Sequence, residues 1–328
     1  MSAIALLLLA VALLLSVFSA ADERGHEGNE VKAYTITEPY VFPVVPGDPG
    51  WYEFTTSEQK IDASQVPNDI LRNMTTGALV ETVLNCPTIS HIYLLQYESG
   101  YRLACGLFNS LNELDGRPDA VRKLNEKIEE LSSLAGDREN PKDEAALVKL
   151  LCAEIIVKGM TGQLPENSVN PPSRYTTTYI RTPNNTNVLV YEDLSWSDHN
   201  TTESSARAVF NSYLSQYPSA VEITTVNPKY NCHSYAFYGT STNNAYWINN
   251  ATAYITDGSY VYSAAASGRK VYYHASVIAN EHSGIVQRIT GGVVIVRSKW
   301  GYGGVVEHPV NDCPYNAFAT SKTYWALA

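Results

Sequence analysis

The spacing of apolar residues changes halfway along this chain, and that change limits the possible folds more than any other feature. Between residues 60 and 163 the apolar side chains, many of them leucines, recur at intervals of three and four, which predicts an all-α domain. A segment rich in Pro, Asn, Ser and Thr follows at 164–182 and predicts a linker. From 183 to 328 the apolar runs are short and separated by turn residues, among them Gly291-Gly292, which predicts a hairpin turn. The sequence therefore predicts an α+β protein whose helical domain precedes a domain with short strands.

The first residues of the chain predict export. Residues 3–18 are almost wholly apolar, and the small residues at 19–21 follow them. The apolar run is shorter than the roughly 20 residues that a membrane helix needs. We therefore predict a secretory signal peptide at 1–21, an extended lead-in at 22–59, a secreted protein, and no membrane span after cleavage. A retained N-terminal anchor is the alternative.

Charge and cysteine content narrow the function further. The net charge is -10, which argues against sequence-independent nucleic-acid binding because no basic surface is implied. The chain has five cysteines, and an odd number in an exported chain predicts disulfides plus one free thiol. If Cys232 is the free one, Cys86 with Cys105 and Cys152 with Cys313 is one possible pairing. The connectivity stays open at this point.

The segment from Tyr230 to Tyr238 carries the best candidate nucleophile. Cys232 follows a proline-containing turn and precedes a predicted short helix. A cysteine at a helix start gains from the helix dipole, but its thiolate also needs an imidazole partner. His282 opens a later predicted strand and is the candidate base. Ser298, near the end of the next strand, is the candidate third residue that orients the imidazole.

Four neighbouring residues are candidates for the oxyanion site or the cleft wall. The backbone N–H of Cys232 is one possible oxyanion donor, and Asn231 or Tyr230 offers a side-chain donor just before it. Lys299 stands beside Ser298, but strand alternation allows only one of those two on the face of His282. Trp300 begins a glycine-rich aromatic loop that is either a cleft wall or a simple turn.

The runs Asn-Cys-His-Ser-Tyr-Ala at 231–236 and His-Ser-Gly-Ile-Val at 282–286 resemble papain-like cysteine amidases and peptidases of the NlpC/P60 and CHAP type. The resemblance covers about residues 220–302. It implies a papain-like α+β domain with a small antiparallel sheet, and cleavage of amide bonds, commonly in cell-wall peptides. It also implies the roles given above to Cys232 and His282. Where Ser298 stands, those families usually carry His, Glu or Asn.

The sequence leaves three functions open and predicts no cofactor. The first is a secreted cysteine hydrolase acting on a peptide or cell-wall peptide. The others are a non-catalytic binding module on the same fold and a transglutaminase-like acyl transferase. No metal is expected, because Cys232, His233, His274 and Cys313 lack the spacing of a zinc site. The sequence gives no prediction of oligomeric state.

Overall fold

The computed structural model describes residues 34–94, 98–164, 176–276 and 281–328. Within these ranges the protein is α+β, with helices in the first half and antiparallel sheets in the second. The helices are α1 Ser57–Asp62, α2 Asn68–Asn73, α3 Thr76–Leu84, α4 Glu98–Leu107, α5 Asn109–Asp115, α6 Ala120–Ala135, α7 Glu144–Met160, α8 Glu203–Gln216 and α9 Thr252–Thr256. Single 3-10 turns occur at Pro49–Glu53, Ile89–Leu94, Trp196–His199 and Pro314–Phe318.

Local sequence signals explain where the longer helices begin and what they bury. The side chain of Asp143 accepts a hydrogen bond from the backbone N–H of Ala146 and caps α7. Helix α7 is apolar nearly all round, and it is covered by α6 and α8. Helix α6 instead buries a stripe that includes Leu124 and Leu131 and exposes its charged face. These helices therefore form where periodicity and capping predict them.

In the part of the chain that the structure describes, ten strands form two antiparallel sheets. They are β1 Thr177–Arg181, β2 Asn187–Glu192, β3 Val221–Glu222, β4 Tyr246–Trp247, β5 Tyr260–Ser263, β6 Lys270–Ala275, β7 His282–Thr290, β8 Val293–Lys299, β9 Val305–Pro309 and β10 Ala319–Leu327. The larger sheet has the strand order β3-β9-β8-β7-β6-β10-β5, and the smaller has the order β1-β2-β4. The predicted turn at Gly291 and Gly292 is confirmed, since both have positive φ and join β7 to β8.

The larger sheet has two differently covered faces. The helix face, which includes Tyr273, Val296 and Trp300, packs into the same core as the helices. The turn face, which includes Tyr272 and Ile285, is covered by the segment around Cys232. Residues 35–328 form one compact unit, so the helices and the sheet are joined by a shared core rather than by the 164–182 segment alone.

The predicted disulfides are wrong. All five cysteines are free and buried, and the suggested pairs Cys86–Cys105 and Cys152–Cys313 are not formed. Cys86, Cys105, Cys152 and Cys313 instead pack in the main apolar core, which is the usual environment of a structural cysteine. An odd cysteine number thus carried no information about pairing here.

Several predictions concern residues outside the described ranges. The signal peptide at 1–21, residues 22–33 of the lead-in and residues 165–175 of the linker lie there. Within the described part of the chain, no helix combines the length and the apolar character needed to cross a bilayer.

Candidate functional site

Cys232 lies at the start of a short helical segment, as predicted. The chain becomes helical at Cys232 and continues through a π-helical turn, Ser234–Tyr238. Asn231 caps this segment, because its side-chain oxygen accepts the backbone N–H of Ser234 at 3.2 Å. The amide group of Asn231 also donates to the carbonyl of Ile248 at 2.7 Å. Asn231 therefore holds the turn in place, and its amide is already engaged.

The Cys232 thiol is enclosed and protonated in this conformation. The residue is only 5% exposed. Burial raises the pKa of the Cys232 thiol to about 11, although the backbone N–H groups of Ser283, His233 and Cys232 and the Lys299 ammonium oppose that rise. These donors make the surroundings suited to a negative sulfur once the site opens. The Ser283 contact also places the thiol beside the start of β7.

His282 starts β7, and its imidazole packs against two aromatic rings. Its imidazole stacks on the Tyr315 ring with centroids 3.7 Å apart and planes 5° apart, and the Tyr273 ring lies 5.3 Å away. Neither ring nitrogen has a hydrogen-bond partner among the described residues, so no such bond joins it to Cys232. Burial lowers the pKa of His282 well below its ordinary value, and His308 and His233 contribute in the same direction. The imidazole is therefore neutral, and neither of its nitrogens is bonded to another described residue.

Strand alternation explains why the two candidate residues are near each other yet unbonded. His233, next to Cys232, forms a hydrogen bond through Nδ1 with the Ser283 hydroxyl at 2.9 Å on the turn face. His282 precedes Ser283, so its side chain points to the helix face. Its cross-strand neighbour there is Tyr273. The structure thus brings the backbone of His282 to the Cys232 turn while directing its imidazole toward Tyr315.

Ser298 contacts a different histidine from the predicted one. Its hydroxyl lies 2.8 Å from Nε2 of His308 and accepts the Trp300 indole N–H at 3.2 Å. Nδ1 of His308 lies 2.8 Å from the carbonyl of Pro309, which can only accept. Nδ1 therefore carries the proton and the Ser298 hydroxyl donates to Nε2. Burial lowers the pKa of His308 to about 4.

The geometry of β8 explains this pairing. Val296 pairs with His308 of β9, which leaves Ser298 diagonal to that imidazole on the helix face. Ser298 is also close to Gly284, two residues along β7 from His282. The hydrogen bond that the sequence predicts from Ser298 to His282 is absent among the described contacts, because neither nitrogen of that ring is bonded.

Lys299 anchors the glycine-rich loop rather than facing His282. Its buried ammonium donates to the carbonyls of Asn227 at 2.9 Å, Gly301 at 2.9 Å and Gly303 at 2.6 Å. Three acceptors for three N–H groups satisfy the ammonium fully, although burial lowers the pKa of Lys299 well below its ordinary value. The same ammonium lies 4.8 Å above the Tyr230 ring. Lys299 therefore ties the loop to the turn that precedes Cys232.

Two further predicted cleft residues are enclosed. Tyr230 is 0% exposed beneath Lys299, and Trp300 is 1% exposed. The Trp300 ring makes edge contacts with Phe210, Tyr213 and Tyr217 of α8 and its C-terminal neighbour. In this conformation neither side chain lines an open cleft, because both belong to the packed interior.

Tyr315 is the site residue that sequence reasoning missed. It lies in the 3-10 turn Pro314–Phe318, its ring stacks on His282, and its pKa is raised well above the ordinary value by burial and then by the Cys232 thiol. It is therefore a neighbour of both members of the predicted pair. No periodicity or motif surrounds it, so only its aromatic character could have drawn attention to it.

The described residues contain no group of three or more His, Cys, Asp or Glu side chains arranged to hold a metal ion. Comparisons of the chain with protein-family models, curated proteins and solved structures found no match. The site must therefore be interpreted from its own geometry.

Proposed function

We propose that this chain is an exported cysteine hydrolase of the papain-like type that cleaves amide bonds in peptides. The observation that carries the proposal is the state of His282. It is fully buried with both ring nitrogens unbonded, whereas His233 and His308 nearby are each hydrogen-bonded. A buried polar group without a partner costs about 1–3 kcal/mol, and such a cost is typical of a residue retained for chemistry.

The proposed reaction assigns Cys232 as nucleophile and His282 as base. His282 takes the thiol proton, and the sulfur electron pair attacks the substrate carbonyl carbon. The carbonyl electrons move to oxygen, where the backbone N–H of Cys232 stabilises the negative charge. The C–N bond then breaks as the imidazolium returns its proton to the amine. Water, activated by the same imidazole, hydrolyses the thioester and releases the acid.

The conformation described here corresponds to the resting form of that pair. The thiol, with a pKa of about 11, is protonated, and the His282 imidazole is neutral. Catalysis therefore requires the start of β7 to rearrange, so that the imidazole leaves Tyr315 on the helix face and reaches the thiol on the turn face. Once they meet, the Lys299 ammonium and the neighbouring backbone N–H groups favour the thiolate.

The test is peptide hydrolysis by the mature chain and by Cys232→Ala, with cell-wall peptides and an unfolded protein as substrates. Cys105→Ala is the matched control, because Cys105 is also buried and burial raises its thiol pKa to about 11. We expect Cys232→Ala to abolish turnover and Cys105→Ala to retain it. Turnover that survives in Cys232→Ala, or that is missing from both the wild type and Tyr315→Ala, contradicts the proposal.

One observation favours a second candidate, a non-catalytic binding module. Cys232 is 5% exposed, and burial raises its pKa to about 11, as expected of a packing cysteine. This alternative predicts that iodoacetamide modifies Cys232 no faster than Cys105, even after Tyr315 is replaced by Ala. Faster modification of Cys232 in that variant excludes it.

A further inference from the structure

The turn Pro314–Phe318 lies directly against the proposed catalytic pair. The Tyr315 ring is parallel to the His282 imidazole at 3.7 Å, which is the shortest ring contact of that imidazole. The Tyr315 hydroxyl lies beside Gly301, in the loop that Lys299 ties to the turn before Cys232. The Cys232 thiol also raises the pKa of Tyr315, so the phenol is near both groups. A peptide that approaches His282 from this side must first displace Tyr315.

Helix α1 holds this turn in place through polar contacts. The backbone N–H of Ser57 donates to the carbonyl of Asn311 at 3.0 Å, and its hydroxyl donates to the carbonyl of Cys313 at 2.5 Å. The Asn316 amide donates to the Glu58 carboxylate at 2.8 Å. A fourth contact is the buried ion pair between Lys60 and Asp312. We call these four contacts the α1 clasp.

The clasp holds residues 311–313 just before the turn and the Asn316 side chain within it, but the Tyr315 side chain is held differently. No hydrogen bond of the Tyr315 hydroxyl occurs among the described contacts, and the ring is retained by stacking and packing. Its displacement therefore breaks no hydrogen bond of the hydroxyl with another described residue. The segment is fixed by hydrogen bonds, whereas the Tyr315 ring is held by packing. The ring can therefore move while the segment stays in place, which suits it to cover the site.

We infer that the turn Pro314–Phe318 is an autoinhibitory cover, that Tyr315 shields Cys232 and His282, and that the α1 clasp keeps the cover closed. This inference rests on the proposed function. The helical half of the chain then regulates the site through α1, which is distant from Tyr315 in sequence. Activity rises when the clasp loosens or when a peptide displaces Tyr315.

The test measures the iodoacetamide modification rate of each cysteine by peptide mass spectrometry. The variants are Tyr315→Ala, which removes the ring, and Glu58→Ala, which removes one clasp contact at an exposed position. Asp62→Ala is the matched control, since Asp62 is an exposed acid of α1 whose carboxylate makes no contact with the turn among the described contacts. Hydrolysis of unfolded protein is measured in parallel.

We expect Cys232 modification to increase about tenfold or more in Tyr315→Ala and about two- to tenfold in Glu58→Ala, the latter matching the loss of one hydrogen bond. Asp62→Ala should behave as wild type. Cys86, Cys105 and Cys152 should keep their slow rates, which shows that the core stays folded. If Tyr315→Ala speeds all of them, Glu58→Ala alone decides the outcome.

Different results would contradict the cover and the hydrolase. An unchanged Cys232 rate in Glu58→Ala and in a folded Tyr315→Ala overturns the cover, whatever the hydrolysis assay gives. A faster Cys232 rate without hydrolysis in any variant leaves the cover standing and overturns the hydrolase. Faster modification accompanied by faster hydrolysis supports both.

Discussion

Two buried polar side chains, Lys60 and His282, contact the segment from Asp312 to Tyr315, and they differ in their hydrogen bonds. The Lys60 ammonium pairs with Asp312 and also donates to the carbonyl of Phe54 at 3.3 Å. Asp312 in addition accepts the Ser219 hydroxyl. His282, by contrast, has no hydrogen-bond partner among the described residues. The ammonium is hydrogen-bonded and joins distant segments, whereas neither nitrogen of the imidazole is bonded to a described residue.

This difference distinguishes a buried polar group that stabilises the fold from one that does not. A paired buried charge costs a great deal to break, which makes the Lys60 contact a means of fixing the turn to α1. An unpaired buried imidazole lowers the stability of the fold, because the cost of its desolvation is not offset by a hydrogen bond. Its retention is understandable if its nitrogens serve a reaction. The comparison therefore predicts opposite responses to substitution.

The largest effect is expected from Lys60→Met. Removing the ammonium leaves Asp312 buried without its cation and should lower the free energy of unfolding by about 3–5 kcal/mol. Urea unfolding measures the change. The double variant Lys60→Met with Asp312→Leu should recover most of the loss, since it removes both charges. A single-variant loss under about 1 kcal/mol would mean that the pair does not fix the turn.

Substitutions at two histidines should have smaller effects, of opposite sign, on the free energy of unfolding. His282→Phe keeps the stack on Tyr315 and removes two unbonded nitrogens, so it should raise the free energy of unfolding by about 1–3 kcal/mol while abolishing hydrolysis. His308→Phe deprives the Ser298 hydroxyl of its acceptor and should lower that free energy by a similar amount. Urea unfolding at pH 7.5 measures both. A shift of the same sign in both variants contradicts the comparison.

The smallest difference between a variant and the wild type is expected in the pH dependence of stability. Burial depresses the pKa of His91 to about 3, that of His233 and of His308 to about 4, and that of His282 well below the ordinary value. The unfolded chain therefore binds more protons below about pH 6.5, and stability must fall as the pH decreases from there toward 4. Each imidazole contributes about 1.4 kcal/mol per pH unit.

His282→Phe should weaken this pH dependence, because it removes one such imidazole. Its stability should fall less steeply than that of the wild type between pH 6 and 5, by about 1.4 kcal/mol per pH unit. Urea titrations at several pH values measure the slope. An equal slope in both proteins would mean that His282 binds a proton equally well in the folded and unfolded states.

Local rules were sufficient wherever a feature depends on neighbours in sequence. Helical spacing located the amphipathic helix α6, and the paired glycines located the β7–β8 turn. The proline turn before Cys232 preceded a helix start, as expected. Alternation correctly allowed only one of Ser298 and Lys299 on the face of His282, and Ser298 is the one. These outcomes need only φ/ψ preferences and side-chain periodicity.

Contacts between distant segments needed the tertiary structure. The strand register places the Ser298 hydroxyl within hydrogen-bond distance of His308, and the packing of the turn against α1 places Tyr315 against His282. Packing also left all five cysteines reduced, against the prediction from their number. The physical reason is that a sequence encodes each strand's alternation but not which strand lies beside it. That choice depends on the summed burial of the whole core, which no local pattern contains.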